Sequence, residues 1–187
     1  MRILVSLGSE ESSSGDGMLA SLARDHELVV SHLSGRFDAL RLALRNLLPE
    51  RDVVSVLTHV VLGAEESGVS AREVAEPRAI AELRSLRALI EAGSLVLCGI
   101  ASRPLAVDGI GEMHPVEATV DADLAASLLA RRLDADLFLL LGRGPEAGRA
   151  VAAERFVAAT GRRAEVGSPA EAARLALGDA AARRFRA

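Results

Sequence analysis

The sequence predicts an α/β fold, a three-layer sandwich in which a mostly parallel sheet lies between two layers of helices. Two observations carry that expectation. Short apolar runs such as "RILVSL", "SLVLCGI" and "ADLFLLLG" alternate with longer stretches of helical periodicity. The apolar runs are also nearly continuous, as strands buried on both faces must be, and do not alternate with polar residues as a half-exposed strand would.

Each element follows from its own pattern. Arg2 to Leu7 reads as a first strand that ends at Gly8 and opens into the polar stretch "SEESSSGDG". "GMLASLARDH" has helical spacing through Met18, Leu19, Leu22 and Ala23. "ELVVSH", Glu27 to His32, is a second strand, and "FDALRLALRNLL" is a helix with Leu40, Leu44, Leu47 and Leu48 on one face. Asp52 to Gly63 reads as one third strand. "RAIAELRSLRALIEAG" is a helix with a stripe of Ile80, Leu83, Leu86, Leu89 and Ile90, and Gly93 is its expected C-terminal cap. A fourth strand, "SLVLCGI", precedes a helix, "DADLAASLLARRLD", capped by Asp121 or Asp123. A fifth strand, "ADLFLLLG", leads into the helix "EAGRAVAAERFVAATG", the strand "RRAEVG" and a last helix from "SPAEAARLALG".

Composition narrows the function classes. The chain has 187 residues, 50% of them hydrophobic, which is the size of one domain, 1–187, with a substantial core. All 22 of its basic residues are arginine, and there is no lysine. With 26 acids, a net charge of -4 and 2% aromatics, it lacks the basic footprint and stacking surfaces of a nucleic-acid binder. The single cysteine, Cys98, gives no internal disulfide framework. The absence of a signal-like start or a long apolar run predicts a cytoplasmic protein without membrane association.

In such folds ligands bind where strand carboxyl ends, loops and helix N-termini converge. That rule selects Gly8 and Ser9, His32 with Gly35, Gly99, Asp121 with Asp123, and Gly142-Arg143-Gly144. His32, His59 and Cys98 sit at or near strand ends but match no compact metal-ligand spacing, which favours packing roles and no metal site. His114, before Pro115, reads as a loop residue, and Ser12 to Ser14 as part of a flexible loop. No nucleophile elbow, P-loop or dinucleotide fingerprint is present.

The order of these stretches resembles carbamate kinase, a member of the amino-acid-kinase family. "MRILVSLGSE" is similar to the family's opening strand and glycine-rich phosphate loop, and "ELVVSHLSG" to its second strand with a histidine-glycine turn. "RDVVSVLTHVVLG" and "AIAELRSLRALIEAGSLVLCG" resemble the following strand and the helix and strand before the family's glycine run. "VEATVDADLAASLLARRLDADLFLLL" is the strongest match, and "RFVAATGRRAEVGSPAEAARLALG" resembles the family's final helix, strand and helix. The resemblance implies a carbamate-kinase-like fold and homodimers.

Departures from the family pattern define the functional expectation. Phosphoryl transfer depends on glycine-loop amides and cations that steady the transferring group. The family's Asp-Lys-Asp turn is here Asp121-Ala122-Asp123, and its Gly-Gly-Asn loop is Gly8-Ser9-Glu10. The glycine run has become Gly99-Ile100-Ala101-Ser102. Where the family carries a long nucleotide-binding segment ending in Gly-Pro-Lys, "GRGPEAGRA" places Glu146 near the lysine position. From Gly63 the chain reaches Ala75 where the resemblance places a lid subdomain, so the expected fold lacks that lid. Together these losses imply a protein without ATP:carbamate phosphotransferase activity or a nucleotide cofactor, acting in assembly as a homodimer or beside a metabolic enzyme. The alternative is a divergent enzyme on a small anionic substrate. It would use Arg36, Arg103 or Arg143 as clamps and amides near Gly8 and Gly99 as an anion site, with ATP and Mg possible only then.

Overall fold

The computed structural model describes residues 1–7, 15–32, 37–62, 79–108, 110–117, 120–142, 146–177 and 183–185. The chain begins with β1 (Arg2–Leu7), α1 (Asp16–Asp25), β2 (Glu27–His32) and α2 (Asp38–Leu47). It continues through β3 (Val53–Thr58), β4 (Val60–Leu62), β5 (Ala79–Ile80) and α3 (Leu83–Glu91). Then follow β6 (Leu95–Ile100), β7 (Leu105–Val107), β8 (Met113–Pro115), α4 (Ala122–Arg132) and β9 (Leu137–Leu141). The last elements are α5 (Glu146–Thr160), β10 (Arg163–Gly167), a 3-10 turn (Pro169–Glu171), α6 (Ala172–Leu177) and β11 (Arg183–Phe185).

Seven strands form the main sheet in the order β11-β10-β9-β1-β2-β6-β3. Every neighbouring pair is parallel except β10 with β11. Alternate residues of each central strand feed two separate cores. Leu4, Val96, Cys98, Phe138 and Leu140 face a core with Leu86 and Ile90 of α3, Leu129 of α4 and Phe156 of α5. Ile3, Val5, Leu95, Leu97, Leu137 and Leu139 face the other, with Leu19 of α1, Leu44 of α2 and Leu175 of α6. Helices therefore cover both faces, which is why the strand sequences read as unbroken apolar runs. Burying each such side chain contributes about 1.5–3 kcal/mol.

The expected third strand is two strands. β3 lies in the main sheet, and after His59 the chain enters a second sheet of order β5-β4-β7-β8. Thr58 marks the switch. Its hydroxyl donates to the Ala81 carbonyl at 2.6 Å, and the Ala81 amide donates to the His59 carbonyl at 2.9 Å, pulling the strand out of line. β6 runs on into β7 in the same way, so the small sheet hangs from the carboxyl ends of β3 and β6. Within it β4 and β7 are parallel, whereas β5 and β8 are antiparallel to their neighbours.

Three further expectations are corrected. Ile80 belongs to β5 and not to the helix stripe, leaving Leu86 and Ile90 as the buried anchors of α3. Leu47 is exposed, and α2 turns Leu40 and Leu44 inward. His114 is a strand residue of β8, opposite Ala106 of β7. Gly93 has φ +83°, and its amide donates to the Ile90 carbonyl at 2.9 Å, which is the expected helix stop. The passage from Gly63 to Ala75 lies outside the described residues. Among the described residues no helix is long and apolar enough to cross a membrane.

Candidate functional site

The main sheet changes direction of growth at β1. From there β2, β6 and β3 extend one way and β9, β10 and β11 the other, so a crevice opens between the carboxyl ends of β1 and β9. Ser6 of β1 pairs in register with Leu140, and Leu7 with Leu141. Because Ser6 follows Leu4 at a spacing of two, it lies on the same face as α4 and α5.

α4 begins at this crevice. Asp121 is its N-cap, with Oδ1 accepting from the Leu124 amide at 2.8 Å. Of the two acids that sequence offered for that role, Asp121 fills it. Asp123, two residues further along α4, accepts a hydrogen bond from the Ser6 hydroxyl at 3.1 Å. Burial pushes the Asp123 carboxyl above the ordinary aspartate range; the Ser6 hydrogen bond opposes that shift, the Asp121 charge adds to it, and the Arg149 charge draws it back.

Arg149 is the residue that sequence reasoning missed. It stands in the first turn of α5 and donates from its guanidinium to the Gly142 carbonyl, where β9 ends. Gly142 has φ +124°, a conformation that favours glycine and turns the chain off the sheet. The same helix turn runs past Asp121, since a Cβ on Gly148 would lie 3.9 Å from Asp121 Oδ2. Ser127 locks α4 to α5 by donating to the Ala152 carbonyl at 3.0 Å. The turn that lacks the family's lysine thus has a guanidinium supplied by the next helix, whose charge reaches Asp123. Glu146 drew attention as the position near the family motif's lysine, but the cation whose charge reaches Asp123 is Arg149, three residues on.

The other predicted positions are scattered. Gly8, Ser9, Gly35, Arg36 and Arg143 lie outside the described residues, as do Ser12 to Ser14. Gly99 lies inside β6, in register with His32 on one side and Leu57 on the other. Arg103 is exposed in the bend between β6 and β7. His32, at the end of β2, packs edge-on against Phe37, and burial lowers its pKa. Cys98 is fully buried, and its thiol is pushed up to about 12, which leaves it inert as a nucleophile.

Chemically, the described residues of the crevice offer one hydroxyl, two carboxylates and one guanidinium. With both acids ionised its formal charge is negative. A phosphate group would meet net repulsion there unless a further cation joined it.

No family model matches the chain. Among curated proteins, it is 43% identical over 65 residues to carbamate kinase of Haemophilus influenzae, a match covering 34% of this chain and 21% of that protein. It is 34% identical over 80 residues to the carbamate kinase-like protein YahI of Escherichia coli, covering 41% of this chain and 25% of that one. The matched segments therefore span about a fifth to a quarter of the curated relatives. The structure of carbamate kinase from Giardia lamblia bound to AMP-PNP superposes with a TM-score of 0.77 at 16% identity, covering 99% of this chain and 98% of that chain. A local sequence match and this fold thus point the same way: part of the chain is similar in sequence to carbamate kinases, and the whole chain has the fold of the solved carbamate kinase structure.

Proposed function

We propose that this chain is a carbamate-kinase-like protein that has lost ATP:carbamate phosphotransferase activity and serves as an assembly or regulatory subunit. The observation that carries the reading is the charge at the acid pair. The chain contains no lysine, and the cation beside Asp123 is a guanidinium bonded to the Gly142 carbonyl. A transferring phosphoryl group needs compact positive charge aimed at its equatorial oxygens, and a planar fork held by a carbonyl is a poor replacement for an ammonium. Asp121, meanwhile, is spent on capping α4.

The assembly half of the reading draws support from β3. It is an edge strand of the main sheet, and Leu57 on it is 58% exposed. Such an edge is a ready template for strand pairing, with a second copy or with another enzyme's sheet. The proposed setting is the cytoplasm, without bound nucleotide.

The test is phosphoryl transfer in both directions, from Mg-ATP to carbamate and from carbamoyl phosphate to Mg-ADP, with calorimetric titration of the same ligands. The expected result is no turnover above the protein-free blank and no nucleotide heat. Saturable ATP formation from carbamoyl phosphate and ADP would sink the proposal.

A second reading has one observation in its favour. Arg103 is exposed at the carboxyl end of β6, with no ion-pair partner among the described residues, so it stands ready to meet a small anion such as carbamate or carbamoyl phosphate. Under this reading Arg103→Ala abolishes carbamoyl phosphate binding. Unchanged affinity in that variant rejects it.

A further inference from the structure

The hairpin of β7 and β8 takes no part in the acid-pair crevice, yet it gathers three metal-ligating side chains. Its sequence, "DGIGEMH", spaces them as Asp108, Glu112 and His114. Strand pairing fixes the last of these, because Val107 is in register with Met113 and Ala106 with His114. One ligand atom from each of the three lies within 4.8 Å of the other two. His114 Nε2 is 2.9 Å from Asp108 Oδ2 and 4.0 Å from Glu112 Oε2. Two ligands each ~2.1 Å from a tetrahedral ion stand ~3.4 Å apart, so the two separations bracket what a metal requires.

The Asp108 carboxylate is already oriented. Its Oδ1 accepts from the amides of Ile110 at 3.0 Å and Glu112 at 2.9 Å, which leaves Oδ2 turned towards the imidazole. Charge supplies a separate argument. Three exposed acids elsewhere pair with arginine: Glu27 with Arg2, Asp38 with Arg41 and Asp134 with Arg87. Asp108 and Glu112 have no arginine among the described residues, in a chain with 22 of them, and face one imidazole instead. Two carboxylates converging on one nitrogen leave negative charge that a divalent ion would neutralise.

We propose that Asp108, Glu112 and His114 form a divalent transition-metal site, binding Zn2+ through one imidazole nitrogen and two carboxylate oxygens with water at the open position. The nitrogen ligand sets the class. Mg2+ and Ca2+ prefer all-oxygen shells, whereas imidazole with carboxylate suits Zn2+. The bound ion would cross-link the two strands of the hairpin at its turn.

The experiment is calorimetric titration of the full chain with Zn2+, and with Mg2+ and Ca2+ in parallel, on wild type, His114→Ala, Glu112→Gln and Asp123→Asn. The expected result is one saturable Zn2+ site, unchanged in Asp123→Asn and weakened in the other two variants. Losing an outer-shell partner of a metal ligand costs ~10- to 100-fold in affinity, so losing a ligand itself costs at least tenfold. Circular dichroism verifies that each variant is folded; His114 and Glu112 are both exposed, and Glu112→Gln keeps the side-chain volume. No saturable Zn2+ binding, binding that survives His114→Ala at full affinity, or Mg2+ and Ca2+ binding as tightly as Zn2+ would each overturn the proposal.

Discussion

Because burial raises the Asp123 carboxyl above its ordinary value of 3.8, the folded chain holds that proton to higher pH than the unfolded chain does. Between the unfolded and folded values the native state binds more protons, so stability falls as pH rises through that window. Asp123→Asn removes the titrating group and keeps the shape that meets Ser6. The expected outcome is a melting temperature that declines less than wild type's as pH rises from below 3.8 towards neutrality. A parallel decline in both proteins contradicts it. Arg149→Ala takes the opposing charge away and also leaves the Gly142 carbonyl without its guanidinium. That loss of a charged hydrogen bond costs ~1.5–3 kcal/mol in urea unfolding, and less when Asp123 is already Asn, because the two groups share one network. At this scale the sequence was legible only in part. Asp121 and Asp123 stand out as a pair before a helix, whereas Arg149 looks like any arginine near a helix start. Nothing local says that the start of α5 returns to the start of α4.

Strands and helices were read most securely where one face had to be buried. β1 and β2 coincide with their expected bounds because five of six residues in β1 and four of six in β2 are buried. Periodicity failed where the chain changed sheet without changing composition. "VVSVLTHVVL" is uniformly β-favouring, and the break at His59 comes from hydrogen bonds to Ala81, distant in sequence. β7, β8 and β11 are three residues each, too short for any alternation to register, and Pro115 argued against a strand at β8. Two glycines test the elements. Gly93→Ala must place a side chain at φ +83°, and is expected to destabilise by ~1 kcal/mol. At Gly167 an added Cβ would lie 2.7 Å from Leu175 Cδ1, a buried side chain of α6. Gly167→Ala is expected to cost ~1–3 kcal/mol through overpacking, read as a lower denaturation midpoint.

For the molecule as a whole, the sheet divides the interior into two cores that share its strands. Phe138 is fully buried on the α4–α5 side and packs against Phe156 with ring centroids 5.5 Å apart. Phe138→Ala should cost ~3–5 kcal/mol in chemical denaturation, and a single cooperative transition is expected, because the β9 backbone serves both cores. Strand order was the part of the fold that local pattern left unwritten: continuous apolar runs imply parallel strands, but which strand lies beside which depends on long-range packing. The arrangement at the two sheet margins has a consequence for stoichiometry. β11 runs against β10 and closes that margin with three residues, too little to template a neighbour firmly. Among the described strands of the main sheet, only β3 presents a long margin. Under the proposed assembly through β3, a body that joins others at one side alone forms pairs and then stops, where two equally open sides would let subunits add end to end without limit.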